Sequence, residues 1–256
     1  MPTWNTEQYL RFVNERTRPC RDLVTAIAVE APRRIVDLGC GPGNSTAVLA
    51  ARWPAAEITG LDNSEAMITE ARRNAPDLTW LKDDIGSWTS DAPYHIIFSN
   101  AALQWVPNHE VLYPRLLGWT APGGAFATQV PCNFRAEAHE AMRSIAARAV
   151  WQSYFRGGVG EWHVHAPSFY YDAMAPLATR LDIWETEYLH VMPGPLAIVE
   201  WYKGTGLRPF LDRLPDEGVR HRFLAEYLEA VTAAYPARPD GRVLFPFRRM
   251  FIIAYR

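Results

Sequence analysis

Apolar residues along this chain switch repeatedly between a helical rhythm and short unbroken runs. From residue 6 to 30, Tyr9, Leu10, Phe12 and Val13, then Leu23, Val24 and Ile27, fall at helical spacing, with Pro19 marking a kink or break. Arg34-Ile35-Val36-Asp37-Leu38 is the first strand-like run. The pattern next predicts a helix from about Asn44 to Trp53, stopped by Pro54, then a strand over 57–62. A second helix is opened by Ser64 as N-cap and runs toward Asn74, before Pro76. Leu78-Thr79-Trp80-Leu81 and Tyr94-His95-Ile96-Ile97-Phe98-Ser99 read as the third and fourth strands. A helix near 108–119 leads to Pro122-Gly123-Gly124, a turn into a fifth strand over 126–130. Repeated β-α-β units joined by short connections predict the α/β class, with a parallel sheet covered by helices on both faces.

After Pro131 the rhythm changes. Residues 136–156 read as one long helix and 157–181 as irregular chain. Residues 182–192 alternate like a strand. A helical block follows, in which Phe223, Leu224, Tyr227, Leu228 and Val231 form an apolar face, and a terminal strand runs from Phe245 to Tyr255. The simplest architecture is one domain over residues 1–256: a doubly wound, seven-stranded, mostly parallel sheet whose last two strands are antiparallel. A core spans about 30–132, a helical cap about 133–181 and 194–244, and terminal strands about 182–192 and 245–255.

Composition narrows the classes further. With 48% hydrophobic and 21% charged residues the chain has the make-up of a globular protein, and a net charge of −2 provides no field for nucleic acid or an acidic membrane. Cys20, Cys40 and Cys132 are scattered, which suits a reducing compartment better than a disulfide framework. The first residues have no basic stretch followed by an apolar run, and nowhere are there eighteen consecutive apolar residues. These features predict a cytoplasmic protein without a membrane span, and none of them calls for a protein partner. Aromatic residues crowd two stretches: Trp151, Tyr154, Phe155, Trp162, Phe169, Tyr170 and Tyr171, then Trp201, Tyr202 and Phe210. They read either as extra core or as the wall of a water-poor pocket.

The chemistry gathers behind the first strand. Asp37, Gly39, Gly41 and Gly43 form a D-x-G-x-G-x-G loop, and the second strand ends in Asp62. A strand, a glycine turn, a helix and a strand closed by an acid make a binding unit for an adenosine cofactor. The glycines admit the ligand and the acid accepts from the ribose hydroxyls. A dinucleotide fingerprint would need a glycine where Asn44 stands. The spacing therefore points to S-adenosylmethionine, which has no pyrophosphate to place. In an open α/β sheet, ligands bind beyond the carboxyl ends of the strands. Those ends bring Asp37 and Gly39; Asp62, Asn63 and, one helical turn on, Met67; Asp84 and Ile85; and Ser99. Asp62 suits the ribose, Met67 the adenine face and Asp84 the adenine amino group, with the Ile85 backbone at the ring edge. Backbone carbonyls near Gly39 and Ser99 suit the methionine ammonium. Any one of these acids alone reads more readily as a cap or a loop charge; four strand ends in order reverse that and read as a site. Cys40 is a spacer within the glycine loop. His163-Val164-His165 lacks a third ligand at convincing spacing, so no metal is expected.

The run Ile35–Gly43 resembles the first motif of the class I methyltransferases. A wider set of segments is narrower in its likeness: Trp4-Asn5, Tyr9-Leu10, Glu15–Pro19, Ser99–Trp105, Trp201–Phe210 and Phe247–Phe251. Together they resemble the trans-aconitate methyltransferase family over nearly the whole chain. The resemblance implies a Rossmann-like methyltransferase fold and methyl transfer from S-adenosylmethionine to a carboxylate of a small tricarboxylate. The products would be a monomethyl ester and S-adenosylhomocysteine. An ionised carboxylate needs no general base, so no catalytic residue is expected beyond positioning and water exclusion. Arginine forks suit the carboxylates that do not react. The substrate-binding set expected on these grounds is Arg208 and Tyr202, then Arg16, Arg18 and Arg248, with Gln104 and Trp105 beside the methyl. Another small carboxylic acid, malonyl-carrier protein, a phenol or amine acceptor, or a cofactor-binding regulator without turnover remain open on the same residues.

Overall fold

The computed structural model describes residues 13–160 and 162–256. Trp4, Asn5, Tyr9, Leu10 and Phe12, which the sequence reading used, lie outside them. Seven strands form one sheet: β1 (Arg34–Leu38), β2 (Glu57–Asp62), β3 (Thr79–Lys82), β4 (Tyr94–Asn100), β5 (Thr120–Pro131), β6 (Arg180–Met192) and β7 (Val243–Tyr255). Their order is β3-β2-β1-β4-β5-β7-β6. The first five pair in parallel, and β7 runs antiparallel to β5 from Ala125↔Tyr255 to Pro131↔Arg249.

The chain divides into two compact units. The larger comprises Asn14–Cys132, Trp162–Thr186 and Arg249–Arg256; among the described residues the smaller comprises Val13, Asn133–Gly160 and Glu187–Arg248. In the larger unit β1, β4, β5 and β7 contribute Val36, Leu38, Ile97, Phe126 and Ile252 to a fully buried core. These near-continuous apolar strands are what a sheet covered on both faces requires. The smaller unit is built on helix Glu217–Ala234, whose buried face is Val219, Phe223, Tyr227 and Val231. Trp151 meets Phe223 edge-on at 5.2 Å and donates from Nε1 to Glu226 at 2.9 Å.

Several expectations need correction. Helix Val13–Ala26 runs through Pro19 without a break and ends before residue 27. The long helix expected over 136–156 is three pieces, Glu137–Ala146, Ala149–Gln152 and a 3₁₀ turn at Ser153–Phe155. Residues 157–181 contain a helix, Pro167–Met174, whose Tyr170 and Met174 are buried in the sheet unit's core. Of the expected cap span 133–181, therefore, residues 162–181 belong to the sheet unit. Pro122-Gly123-Gly124 lies inside β5: from Tyr94↔Thr120 to Ile96↔Ala125, β4 advances two residues while β5 advances five. A Cβ on Gly124 would lie 2.5 Å from the His95 carbonyl, so the bulge holds only with glycine there. The first aromatic stretch also divides. Phe155 packs with Phe210 and Phe223 in the smaller unit, whereas Phe169 and Tyr170 sit with His109 and Tyr113 in the larger.

Candidate active site

The glycine loop is folded back on the end of β2. Gly39 and Cys40 both donate their N–H to the Leu61 carbonyl, at 2.7 and 3.0 Å. Gly39 has φ +76°, and a Cβ there would lie 2.2 Å from the Cβ of Ala102. Loop and chain after β4 thus touch backbone to side chain. Gly41 has φ +55° and nothing within 4 Å of where its Cβ would stand, which leaves open space beside the loop. Gly43 answers a packing need, since a Cβ would come 2.8 Å from the Trp80 ring.

Asp62 closes the loop from the other side. Its Oδ2 accepts from Gly41 N at 3.0 Å and its Oδ1 from Ser64 N at 2.9 Å. Burial pushes its carboxyl above the ordinary range, against the two backbone donors that hold it down. Each oxygen retains a further acceptor position, as a ribose diol requires. Asn63 donates to Asp84 Oδ2 at 3.4 Å, and Asp84 Oδ1 accepts from Gly86 N at 2.7 Å, so Asp84 stands exposed on an ordered turn next to half-buried Ile85. Ser64 caps helix Glu65–Asn74 by accepting from Met67 N, and the Met67 side chain is buried. Ser99 donates from Oγ to the Leu38 carbonyl at 2.8 Å, which fastens the end of β4 to the end of β1.

Asp37 is fully buried, and its Oδ2 accepts from Ser45 Oγ at 2.6 Å and Thr46 Oγ1 at 2.7 Å. Its carboxylate therefore ties the first turn of helix Asn44–Arg52 under the loop. Burial, with a smaller contribution from the Asp62 charge, pushes it up to about 6 despite the two hydroxyl donors. A carboxyl with a raised folded pKa contributes stability that is complete below its unfolded value and is lost as pH rises through about 6. The unfolding free energy of the wild-type chain is accordingly expected to fall by about 2 kcal/mol through this group between pH 4 and pH 6. Asp37→Asn should remove that share of the slope in urea titrations across the same range.

Cys40 is buried, and burial drives its thiol far above the usual range, so it offers no nucleophile at neutral pH. After β4, Ala101 adopts φ +56° and a 3₁₀ turn spans Leu103–Trp105. Gln104 is buried, donates from Nε2 to the Ala101 carbonyl at 2.7 Å, and accepts at its own carbonyl from His163 N at 2.9 Å. Trp105 is exposed, with its ring 6.2 Å from that of Trp162.

The remaining expected substrate residues are divided. Arg16 is buried and Arg18 exposed, both on helix Val13–Ala26 of the sheet unit. Tyr202, Arg208 and Arg248 belong to the smaller unit. There Tyr202 is buried, accepts from Asn133 Nδ2 at 3.1 Å and meets the His139 ring edge-on at 4.9 Å. Arg208, at the start of helix Arg208–Leu211, has its guanidinium pKa lowered by partial burial against the raising charge of Asp212. Arg248 is exposed.

His109 and Tyr170, not among the expected site residues, adjoin the Leu103–Trp105 turn. His109 is fully buried, with Nδ1 2.9 Å from Tyr170 Oη and Nε2 2.9 Å from the Leu103 carbonyl. Its ring also lies 6.5 Å from that of His163 and 5.7 Å from that of His165. Among the described residues no group of three or more His, Cys, Asp or Glu is placed to hold a metal, and no helix is long and apolar enough to cross a membrane.

Comparison with known proteins bears on the whole chain. Residues 35–124 match a family model described as a methyltransferase domain. The trans-aconitate 2-methyltransferase of Azoarcus sp. (strain BH72) is 44% identical over 256 residues, covering all of both chains. That of Methylobacterium radiotolerans is 46% identical over 259 residues, covering 99% of this chain and 98% of its own. This chain belongs to the trans-aconitate 2-methyltransferase family. The solved structures agree on the fold of this family member. The YcgJ protein from Bacillus subtilis matches with a TM-score of 0.59 at 12% identity, over 93% of this chain and 98% of its own. Geranyl diphosphate C-methyltransferase from Streptomyces coelicolor A3(2) matches with a TM-score of 0.55 at 14% identity, over 98% of this chain and 84% of its own.

Proposed function

We propose that this protein transfers the methyl group of S-adenosylmethionine to one carboxylate of trans-aconitate, giving the monomethyl ester and S-adenosylhomocysteine. One observation carries the substrate: likeness to trans-aconitate 2-methyltransferases extends end to end rather than stopping at the cofactor-binding strands. The residues present fit the cofactor, because space is open at Gly41, Asp62 retains acceptor capacity, and Asn100 Oδ1 and Gln104 Oε1 are buried acceptors without a donor among the described residues. When bound, the cofactor supplies an electrophilic methyl: a carboxylate oxygen forms the new C–O bond while the methyl–sulfur bond breaks with its electron pair going to sulfur.

The chain's own residues have the tasks of holding and drying. Asp62 takes the ribose hydroxyls. Met67 covers the adenine face, with Asp84 and the Ile85 backbone at its edge and Asn63 steadying Asp84. Gly39 and Ser99 offer backbone groups, while Asp37 braces the loop from beneath. No residue is needed to remove a proton, because the acceptor oxygen is already ionised at neutral pH. Positioning nucleophile and methyl can account for roughly 7–11 kcal/mol of the barrier. Arg208 and Tyr202 are proposed to bind carboxylates that do not react, with Arg16, Arg18 and Arg248 as further cations and Trp105 as an apolar wall. A guanidinium on the reacting oxygen would blunt it, so the principal arginine belongs on a spectator carboxylate. Arg208→Ala should then raise KM for trans-aconitate by about tenfold or more, the scale of a charge-assisted hydrogen bond. A dicarboxylate lacking the gripped group should show little change. Three thiols without a disulfide suit a reducing cytoplasm, where we place the enzyme.

The carboxylate assignment is tested by the pH–rate profile. A carboxylate acceptor should give kcat/KM without a rising limb from pH 6.5 to pH 9, whereas a phenol or amine acceptor would show one as it deprotonates.

A further inference from the structure

Gln104 is held in an unusually determined position. Its neighbour Leu103 offers its carbonyl to His109 Nε2 at 2.9 Å. A carbonyl can only accept, so Nε2 carries the hydrogen. Burial lowers the His109 pKa and keeps the ring neutral, which leaves Nδ1 as an acceptor and makes Tyr170 Oη its donor. Tyr170 Oη in turn accepts from His165 N at 3.2 Å. One directional chain thus runs from His165 through Tyr170 and His109 to Leu103. On the other side His163 N donates to the Gln104 carbonyl. The backbone at Gln104 is pinned from both directions.

The side chain is oriented as well. The Ala101 carbonyl at 2.7 Å requires a donor, so it selects Nε2 and turns Oε1 the other way. Gln104 is only 4% exposed, and its Oε1 has no partner among the described residues. Such an acceptor costs about 1–3 kcal/mol unless a donor meets it. Trans-aconitate cannot supply one: its three carboxylates are ionised at neutral pH and carry no N–H or O–H. S-adenosylmethionine has three kinds of donor. Its ribose hydroxyls are matched by Asp62 and its adenine amino group by Asp84, which leaves the ammonium of its methionine part.

We infer that Gln104 serves the cofactor rather than the acid, with Oε1 accepting a hydrogen bond from the methionine ammonium. The inference moves Gln104 out of the substrate-binding set expected from the sequence. It rests on the cofactor assignment above. His109 and Tyr170 are positioning residues in this arrangement, acting through the Leu103 carbonyl. Asn100, whose Oδ1 is also buried without a donor among the described residues, is the second side-chain acceptor on the same stretch after β4.

The test is a binding cycle on the full chain, read by calorimetry with S-adenosylhomocysteine and its des-amino counterpart. The wild-type protein should prefer the ammonium-bearing ligand. In Gln104→Leu that preference should fall by about tenfold or more, the scale of a hydrogen bond to a charged group. An unchanged preference overturns the inference; a raised KM for trans-aconitate beside it would return Gln104 to the substrate. Failure of the wild-type protein to bind S-adenosylhomocysteine would overturn the cofactor reading itself, and the inference with it. Should Gln104→Leu not fold, Gln104→Asn keeps the amide, draws it back by one methylene and carries the same expectation.

Discussion

Gly39→Ala is expected to abolish methyl transfer and to weaken the fold. The new methyl would have to stand 2.2 Å from Ala102 Cβ, at a residue whose φ is +76°. The left-handed conformation costs a residue with a Cβ about 1–2 kcal/mol, and an extra methyl in a packed region about 1–3 kcal/mol more. Together these remove about 2–5 kcal/mol from a stability that is typically about 5–15 kcal/mol. Relief comes only by moving Ala102 and the turn behind it, which carries Gln104 and Trp105. Gly41→Ala is the informative contrast. Its φ is also positive, at +55°, but its Cβ would meet nothing within 4 Å. That variant should lose only the conformational share of stability, about 1–2 kcal/mol. It should nevertheless bind S-adenosylhomocysteine poorly, because the methyl occupies the space left for the ligand. Urea midpoints and calorimetric affinities, measured on both variants, separate the two effects.

Asp62→Asn should lower cofactor affinity by about a hundredfold, the upper part of the range for a hydrogen bond to a charged group. In the wild-type chain both carboxylate oxygens accept from backbone donors, Gly41 N on one side and Ser64 N on the other. An asparagine has one oxygen. Whichever way its amide turns, an NH₂ faces a backbone N–H, one ribose hydroxyl loses its acceptor and the other keeps only an uncharged one. Gly41 N is the donor whose loss matters more, since it holds the loop closed. Calorimetry with S-adenosylhomocysteine reads the affinity. If the affinity stays within a few-fold of wild type, Asp62 does not hold the ribose.

How much of this was written in the sequence depended on how local the causes are. The first four strands could be read because each is a short, largely apolar run bounded by Pro, Gly or a cap. Ser64 at the head of helix Glu65–Asn74 behaves as its side chain dictates. Asp37, Gly39, Gly41 and Asp62 fell together for the same reason, since one β-α-β unit brings them to a single edge. Long-range causes were less visible. Pro122-Gly123-Gly124 looks like a turn, yet Gly123 N donates to the Arg256 carbonyl at the far end of the chain, which keeps the bulge within the sheet. Helix Pro167–Met174 is short and begins with proline; the buried pair Tyr170 and Met174, four apart, was its one signal. Ala147 and Arg148, where the expected long helix parts, contain no Gly or Pro to announce the interruption. His109 reads as a helix-start residue, and its role depends on Tyr170 sixty-one positions on. Asp37 was legible as part of the motif, but its partners Ser45 and Thr46 show that its carboxylate shapes the loop.

The most direct measurement is methyl transfer from methyl-labelled S-adenosylmethionine with trans-aconitate as acceptor, run beside cis-aconitate, isocitrate, citrate and malonyl-carrier protein. The account predicts rapid labelling of trans-aconitate ahead of the other acceptors, as an ester that releases its label in base. Labelling of none of these acids by a protein that still binds S-adenosylhomocysteine would contradict it.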